Sequence, residues 1–164
     1  MELLVLALRF VNIVAAAIVA GGQVYVFRVV MPVKKRFDTR DSVQLHNAML
    51  GHQTDHYMKP SGIVSGLCAL ALVGLGVSNA YPMPTVSIVL TAVGILGTLA
   101  IALLSRYGNV PTNAWMLTWS LDDIPDDYPT VRARWDLIHT FRVISGTTAL
   151  TCYLLAALLA ETSG

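Results

Sequence analysis

The residues best equipped for chemistry in this chain fall in three short stretches, and the densest is Trp135-Asp136-Leu137-Ile138-His139-Thr140-Phe141-Arg142. On a helix, Asp136, His139 and Arg142 follow one another at i, i+3 steps and make one stripe of three ionisable groups. Histidine exchanges protons near neutral pH and an arginine fork holds an oxyanion. The plain structural alternative is an internal Asp136–Arg142 ion pair with the arginine stem reaching toward the interface, which leaves His139 without a task. The second stretch is Gly51-His52-Gln53-Thr54-Asp55-His56, where His52 and His56 share a helix face with Asp55 between them. That spacing suits two imidazoles on one metal ion, but the glutamate of the zinc-protease pattern is missing and solvated histidines at an interface are the simpler reading. His46 points off that face and is expected at the surface. The third stretch, Asn109-Val110-Pro111-Thr112-Asn113, has the composition of a structured turn, which accounts for Asn109, while Asn113 could aim its amide at a ligand.

The elements that hold these groups are set by an unusual solvent. Of 164 residues, 55% are hydrophobic and 13% charged, with a mean hydropathy of +0.62. An average soluble domain is about 25% charged, so most of this exterior is expected to face lipid. The net charge of +1 lacks the basic excess that phosphate neutralisation needs, which excludes a nucleic-acid partner. Charge is absent from Phe10 to Phe27, from Pro60 to Ser105 and from Val143 to Ala160. The middle stretch would form a helix about 70 Å long, twice the ~30 Å hydrocarbon core, and Ser78-Asn79-Ala80-Tyr81-Pro82-Met83-Pro84 marks a turn at its centre. The expectation is therefore an all-α chain, 1–164, forming one membrane domain: a four-transmembrane-helix bundle with spans at about 5–31, 60–78, 84–106 and 135–160. An additional cytoplasmic or interfacial helix, about 41–58, is opened by Asp38 and Asp41 ahead of the second span.

Lys34, Lys35, Arg36, Arg40 and Lys59 lie in the first loop, and Arg106, Arg132 and Arg134 in or beside the third. By the positive-inside rule both loops are cytoplasmic and both termini outside, in an inner or plasma membrane. Met1-Glu2 offers no basic n-region, so the first segment reads as a retained span and not a signal peptide. His52, His56, Asn113, Asp136, His139 and Arg142 then share one membrane depth. Gly62, Gly66, Gly74 and Gly76 in the second helix, with Gly94 and Gly97 in the third, suit close packing inside the bundle, with a homo-oligomer seam as the other possibility. Asn12 and Gln23 are expected to hydrogen-bond between helices, Arg9 to snorkel, and Trp115, Trp119 and Trp135 to form an interfacial belt. Cys68 and Cys152 sit at different depths and are not expected to pair.

Asn109-Val110-Pro111-Thr112-Asn113, a variable acidic loop, Arg134-Trp135 and His139-Thr140-Phe141-Arg142 ahead of a last apolar helix together resemble the C-terminal signature of the anthrone oxygenase-like family of small four-helix membrane proteins. The resemblance extends to the first helix and the His52–Met58 stretch, although only the C-terminal part is specific. It implies an oxygenase or oxidoreductase acting on a lipophilic aromatic, anthrone- or quinone-like molecule. His139, Arg142 and Asn113 would be the catalytic positions, and Asp136, Trp135 and Asn109 the substrate-binding ones. His139 as base would remove the acidic proton between the rings, with Arg142 or Asn113 holding the enolate oxygen. That route needs no metal; the alternative has His52, His56 and His139 as ligands to iron or copper, or one of them on haem. Two other functions fit the same sequence: a non-catalytic protein binding or moving hydrophobic ligands, and an accessory subunit of a membrane complex.

Overall fold

A computed structural model describes residues 1–51 and 55–161, without the side chains of 50, 51, 55, 56 and 161. Among the described residues five helices account for the architecture: α1 Glu2–Lys34, α2 Thr39–Gly51, α3 Asp55–Val77, α4 Thr85–Met116 and α5 Tyr128–Glu161. All but α2 are long and apolar enough to cross a membrane. The expected all-α bundle with one extra helix is the fold. Its four long helices stand in a square, α1 beside α3, α3 beside α4, α4 beside α5 and α5 back against α1, so sequence neighbours are spatial neighbours.

The packing inverts that of a soluble protein. Large side chains such as Leu6, Phe10, Leu67, Leu96, Ile144 and Leu158 point outward, while Ala16, Ala69 and Ala149 gather around Tyr153 inside. Small inner residues let backbones approach where lipid offers no hydrophobic drive. A β-carbon on Gly94 would strike the Tyr153 ring, and one on Gly97 would come within 2.8 Å of the Ser145 carbonyl, so both glycines serve the α4–α5 contact. Gly66 meets nothing within 4 Å. Tyr153 cannot retreat easily, because its hydroxyl is 3.0 Å from that of Thr98. Gly94→Ala should therefore cost about 1–3 kcal/mol by overpacking, and Gly66→Ala close to nothing. Thermal unfolding of the detergent-solubilised protein checks both.

The expected turn between the second and third spans forms where Asn79 adopts the left-handed conformation (φ 53°) and the Tyr81 N–H returns to the Leu75 carbonyl. Asp38 opens α2 as expected, its carboxylate accepting the Asp41 N–H at 2.8 Å. The buried Asn12 accepts from Ser65 at 2.7 Å, an interhelical bond as read from the sequence. Both cysteines are free thiols.

Two long helices continue past the expected span ends, for one shared reason. Pro32 and Pro111 lack the N–H of a regular helical turn, and their rings crowd the carbonyl four residues back. In both cases the helix widens into a π turn just before the proline, at Val26–Val30 and Ser105–Asn109. The Met31 N–H reaches the Val26 carbonyl and the Val110 N–H the Ser105 carbonyl, each five residues back. The chain then resumes as α-helix through Lys34 and through Met116. Asn109–Asn113 is thus helix and not the turn its composition suggested, because a widened turn absorbs the proline.

Candidate functional site

Each π turn re-aims the polar residue two places after its proline. Lys34 follows Pro32 and Asn113 follows Pro111, and the two converge on opposite nitrogens of the His46 ring. Lys34 Nζ lies 2.7 Å from Nδ1, and Asn113 Oδ1 lies 3.2 Å from Nε2. The same Asn113 oxygen accepts the Trp135 indole N–H at 2.9 Å. An amide oxygen only accepts, so His46 Nε2 carries the proton, and Nδ1 accepts from the Lys34 ammonium. One arrangement of protons satisfies the whole chain.

His46 is 4% exposed, which corrects its expected surface position. The stripe Ser42, Val43, His46 is the buried face of α2, and the comparison with His52 alone hid it. Arg132 NH1 on α5 donates to Ser42 Oγ at 3.0 Å and to the Lys34 carbonyl at 3.2 Å, while Ser42 and Tyr128 share a 2.7 Å hydroxyl contact. With Val43, Met116, Tyr128 and Val131 packed together, these bonds fasten α2 across the ends of α1, α4 and α5.

Burial, then the Lys34 ammonium, push His46 down to about 3 from its ordinary 6.5; Arg132 adds to this and the Asn113 hydrogen bond opposes it. Folded protein thus keeps the ring neutral where the unfolded chain takes up a proton. The stabilisation is present above about pH 6.5 and is lost as the pH falls toward 3, at about 1.4 kcal/mol per pH unit. The melting temperature should drop between those limits in wild type and fall less steeply in His46→Gln.

Trp135 is the centre of the cluster and is buried, so its expected place in an interfacial belt does not hold; Trp115 is exposed. The Trp135 ring meets His46 edge-on, has Lys34 Nζ 5.1 Å from its centroid, and stacks on His139 at 5.2 Å with 6° between planes. His139, one turn further along α5 and 3% exposed, points Nε2 at the Gln23 backbone carbonyl of α1, 3.1 Å away. A carbonyl only accepts, so Nε2 holds the proton of the neutral ring. Nδ1 is then a bare acceptor, and it is buried with no partner among the described residues.

Two carboxamides share that condition. Both side-chain polar atoms of Gln23 (0% exposed) and of Asn109 (3% exposed) are buried without a partner among the described residues. Gln23 supplies the carbonyl that holds His139. Asn109 lies one turn before Asn113 on α4, and His139 one turn after Trp135 on antiparallel α5, so the Asn113–Trp135 bond brings Asn109 to the level of His139. Buried polar atoms without partners are uncommon; Asn109 and His139 mark this level of the bundle, while the Gln23 carboxamide lies further along α5, its Oε1 3.5 Å from where a β-carbon on Gly146 would sit.

Of the remaining sequence candidates, Asp136 is half-buried within electrostatic reach of Arg132, Lys35 and Lys34, and Arg142 is half-buried within reach of His139. Asp136 and Arg142 form no ion pair with each other; the ion pair among the described residues is Arg40–Asp122 at 3.1 Å, exposed and worth little. His52 and the side chain of His56 lie outside the described residues, within which no three metal-ligating side chains cluster. Lys34 and His46 are the site residues that the sequence did not single out; Gln23, expected to hydrogen-bond between helices, does so through its backbone carbonyl, and its side chain is without a partner among the described residues. A groove of about 260 Å³ runs between α1 and α3 along Phe10, Val14, Ile18, Pro60 and Val64, and it carries no titratable group. No family model, curated protein or solved structure matches the chain.

Proposed function

We propose that this multi-pass membrane protein oxidises a lipophilic aromatic molecule of the anthrone type at the His139 level of the bundle. Support comes above all from one observation: the Gln23 carbonyl fixes the His139 proton on Nε2, so the opposite nitrogen is a buried base with nothing to accept from. A base so placed suits abstraction of the acidic proton between the rings. The Gln23 and Asn109 amides offer N–H donors for the oxygen on which the resulting anion concentrates its charge. Arg142 adds a positive charge from one side. Asn113 acts as a positioning residue, because its oxygen is committed to Trp135 and His46.

The reaction consumes dioxygen: a ring methylene gains one oxygen atom to become a carbonyl, and its two hydrogens leave with the other oxygen atom as water. The polar group is closed by its own side chains, so ligand entry requires α1 and α4 to part from α5, with the π turns as the places where those helices yield. The test is anthraquinone formation and dioxygen uptake by purified protein in nanodiscs, above the rate in protein-free nanodiscs.

The basic residues around α2 support an orientation with that end of the bundle in the cytoplasm and both termini outside. In a variant lacking Cys68 and Cys152, a cysteine at Glu2 should be labelled in intact cells by a membrane-impermeant reagent, and one at Asp126 only after lysis. The opposite pattern would reverse the orientation.

A further inference from the structure

We infer that a small cavity at the end of the bundle carrying the chain termini is a binding site for one water molecule, held between α1 and α4, and that it refuses anions although an arginine lines it. This site lies apart from His139 and stands independently of the function proposed there. The cavity offers about 10 Å³ to the centre of a water molecule, which is the room of a single one. Arg9 and Asn12 of α1 line it, with Ser87 and Thr91 of α4 and Tyr153 of α5. Asn12, Ser87, Thr91 and Tyr153 are each at most 3% exposed. Arg9, expected to snorkel, is half-buried and joins no ion pair among the described residues.

The occupant follows from where the hydroxyl protons go. Ser87 donates to the Ala156 carbonyl at 2.6 Å, and Thr91 to the Ser87 carbonyl at 2.8 Å. Thr98 donates to the Gly94 carbonyl, so in the 3.0 Å contact between Thr98 and Tyr153 the phenol is the donor. The hydroxyls of Ser87, Thr91 and Tyr153 thus have only lone pairs left to offer the cavity. On the α1 side the Asn12 oxygen accepts from Ser65 at 2.7 Å, which leaves its amide N–H groups, and the Arg9 guanidinium has donors alone. Donors from one helix and acceptors from the other call for an occupant that serves both. Water does so, accepting from Arg9 or Asn12 and donating its two hydrogens to Ser87 and Thr91. A halide would satisfy the α1 groups but would face bare oxygen lone pairs from α4. A sodium ion would meet the reverse conflict at Arg9. Because α1 and α4 stand diagonally opposite in the square, the water ties them together across the bundle.

The test is a crystal structure of the wild-type protein at a resolution that shows bound water, from crystals soaked in sodium bromide. The expected result is one water peak in the cavity, within hydrogen-bond distance of Thr91 Oγ1 and of a nitrogen of Arg9 or Asn12, and no anomalous bromide signal there. A bromide peak beside Arg9 would overturn the proposal and make this an anion site. A cavity without density would overturn it as well, since nothing would then join the two helices.

Discussion

His139→Ala should lower the rate of anthrone oxidation by about 10²–10⁴-fold, the range that a positioned general base contributes, while ligand affinity changes much less. The imidazole has one free nitrogen, and the tautomer that frees it is enforced from outside the ring by a backbone carbonyl that no side-chain substitution at Gln23 removes. Alanine deletes the base and leaves the Gln23 and Asn109 amides in place. The loss is therefore expected in kcat, with KM nearly unchanged, as for an interaction made chiefly in the transition state. Steady-state oxygen uptake at varied anthrone concentration separates the two. A variant with unchanged kcat would remove His139 from the chemistry.

Asn113→Leu should produce the largest loss of stability among single changes in the cluster. Leucine preserves volume but leaves both the Trp135 Nε1–H and the His46 Nε2–H without an acceptor in a buried setting. Each unmade bond costs about 1–3 kcal/mol, and together they release the ring sandwich that anchors α2. Asn113→Asp retains an oxygen for each donor and adds a charge facing Lys34, so it should recover much of the loss. Thermal unfolding of the two variants side by side gives the answer, and equal destabilisation by Leu and Asp would show that the oxygen's role had been misassigned.

The large-scale fold was legible because three charge-free stretches and one Pro-rich turn leave few ways to cross a bilayer, and because Asp38 opens α2 by a local rule. Asn12 was legible for a similar reason, since a buried amide in lipid must find a partner and Ser65 provides it. The cluster was only half readable. His139 and Asn113 stand out by type and spacing, yet Asn109–Asn113 looked like a turn because proline normally ends a helix. The π turn that rescues the helix depends on hydrogen bonds five residues apart, which composition does not reveal. The same device on α1 brings Lys34 inside, where a loop lysine was expected. His46 was missed because its partners come from distant stretches of chain, and only its i, i+4 spacing from Ser42 hinted at a buried face. Trp135 illustrates a competing rule: tryptophans do favour the interface, but an indole with a committed N–H acceptor and a stacked imidazole is held inside.

Occupancy of the His139 level by an aromatic ligand is most directly read from Trp135 itself, whose ring stacks on His139. With Trp115 and Trp119 changed to phenylalanine, Trp135 is the sole tryptophan. Titrating that protein in nanodiscs with anthrone under nitrogen should quench its emission saturably at one ligand per chain, and Asn109→Leu in the same background should weaken the saturation. Quenching that rises in proportion to the anthrone dissolved in the lipid, alike in both proteins, would contradict a ligand site at this level.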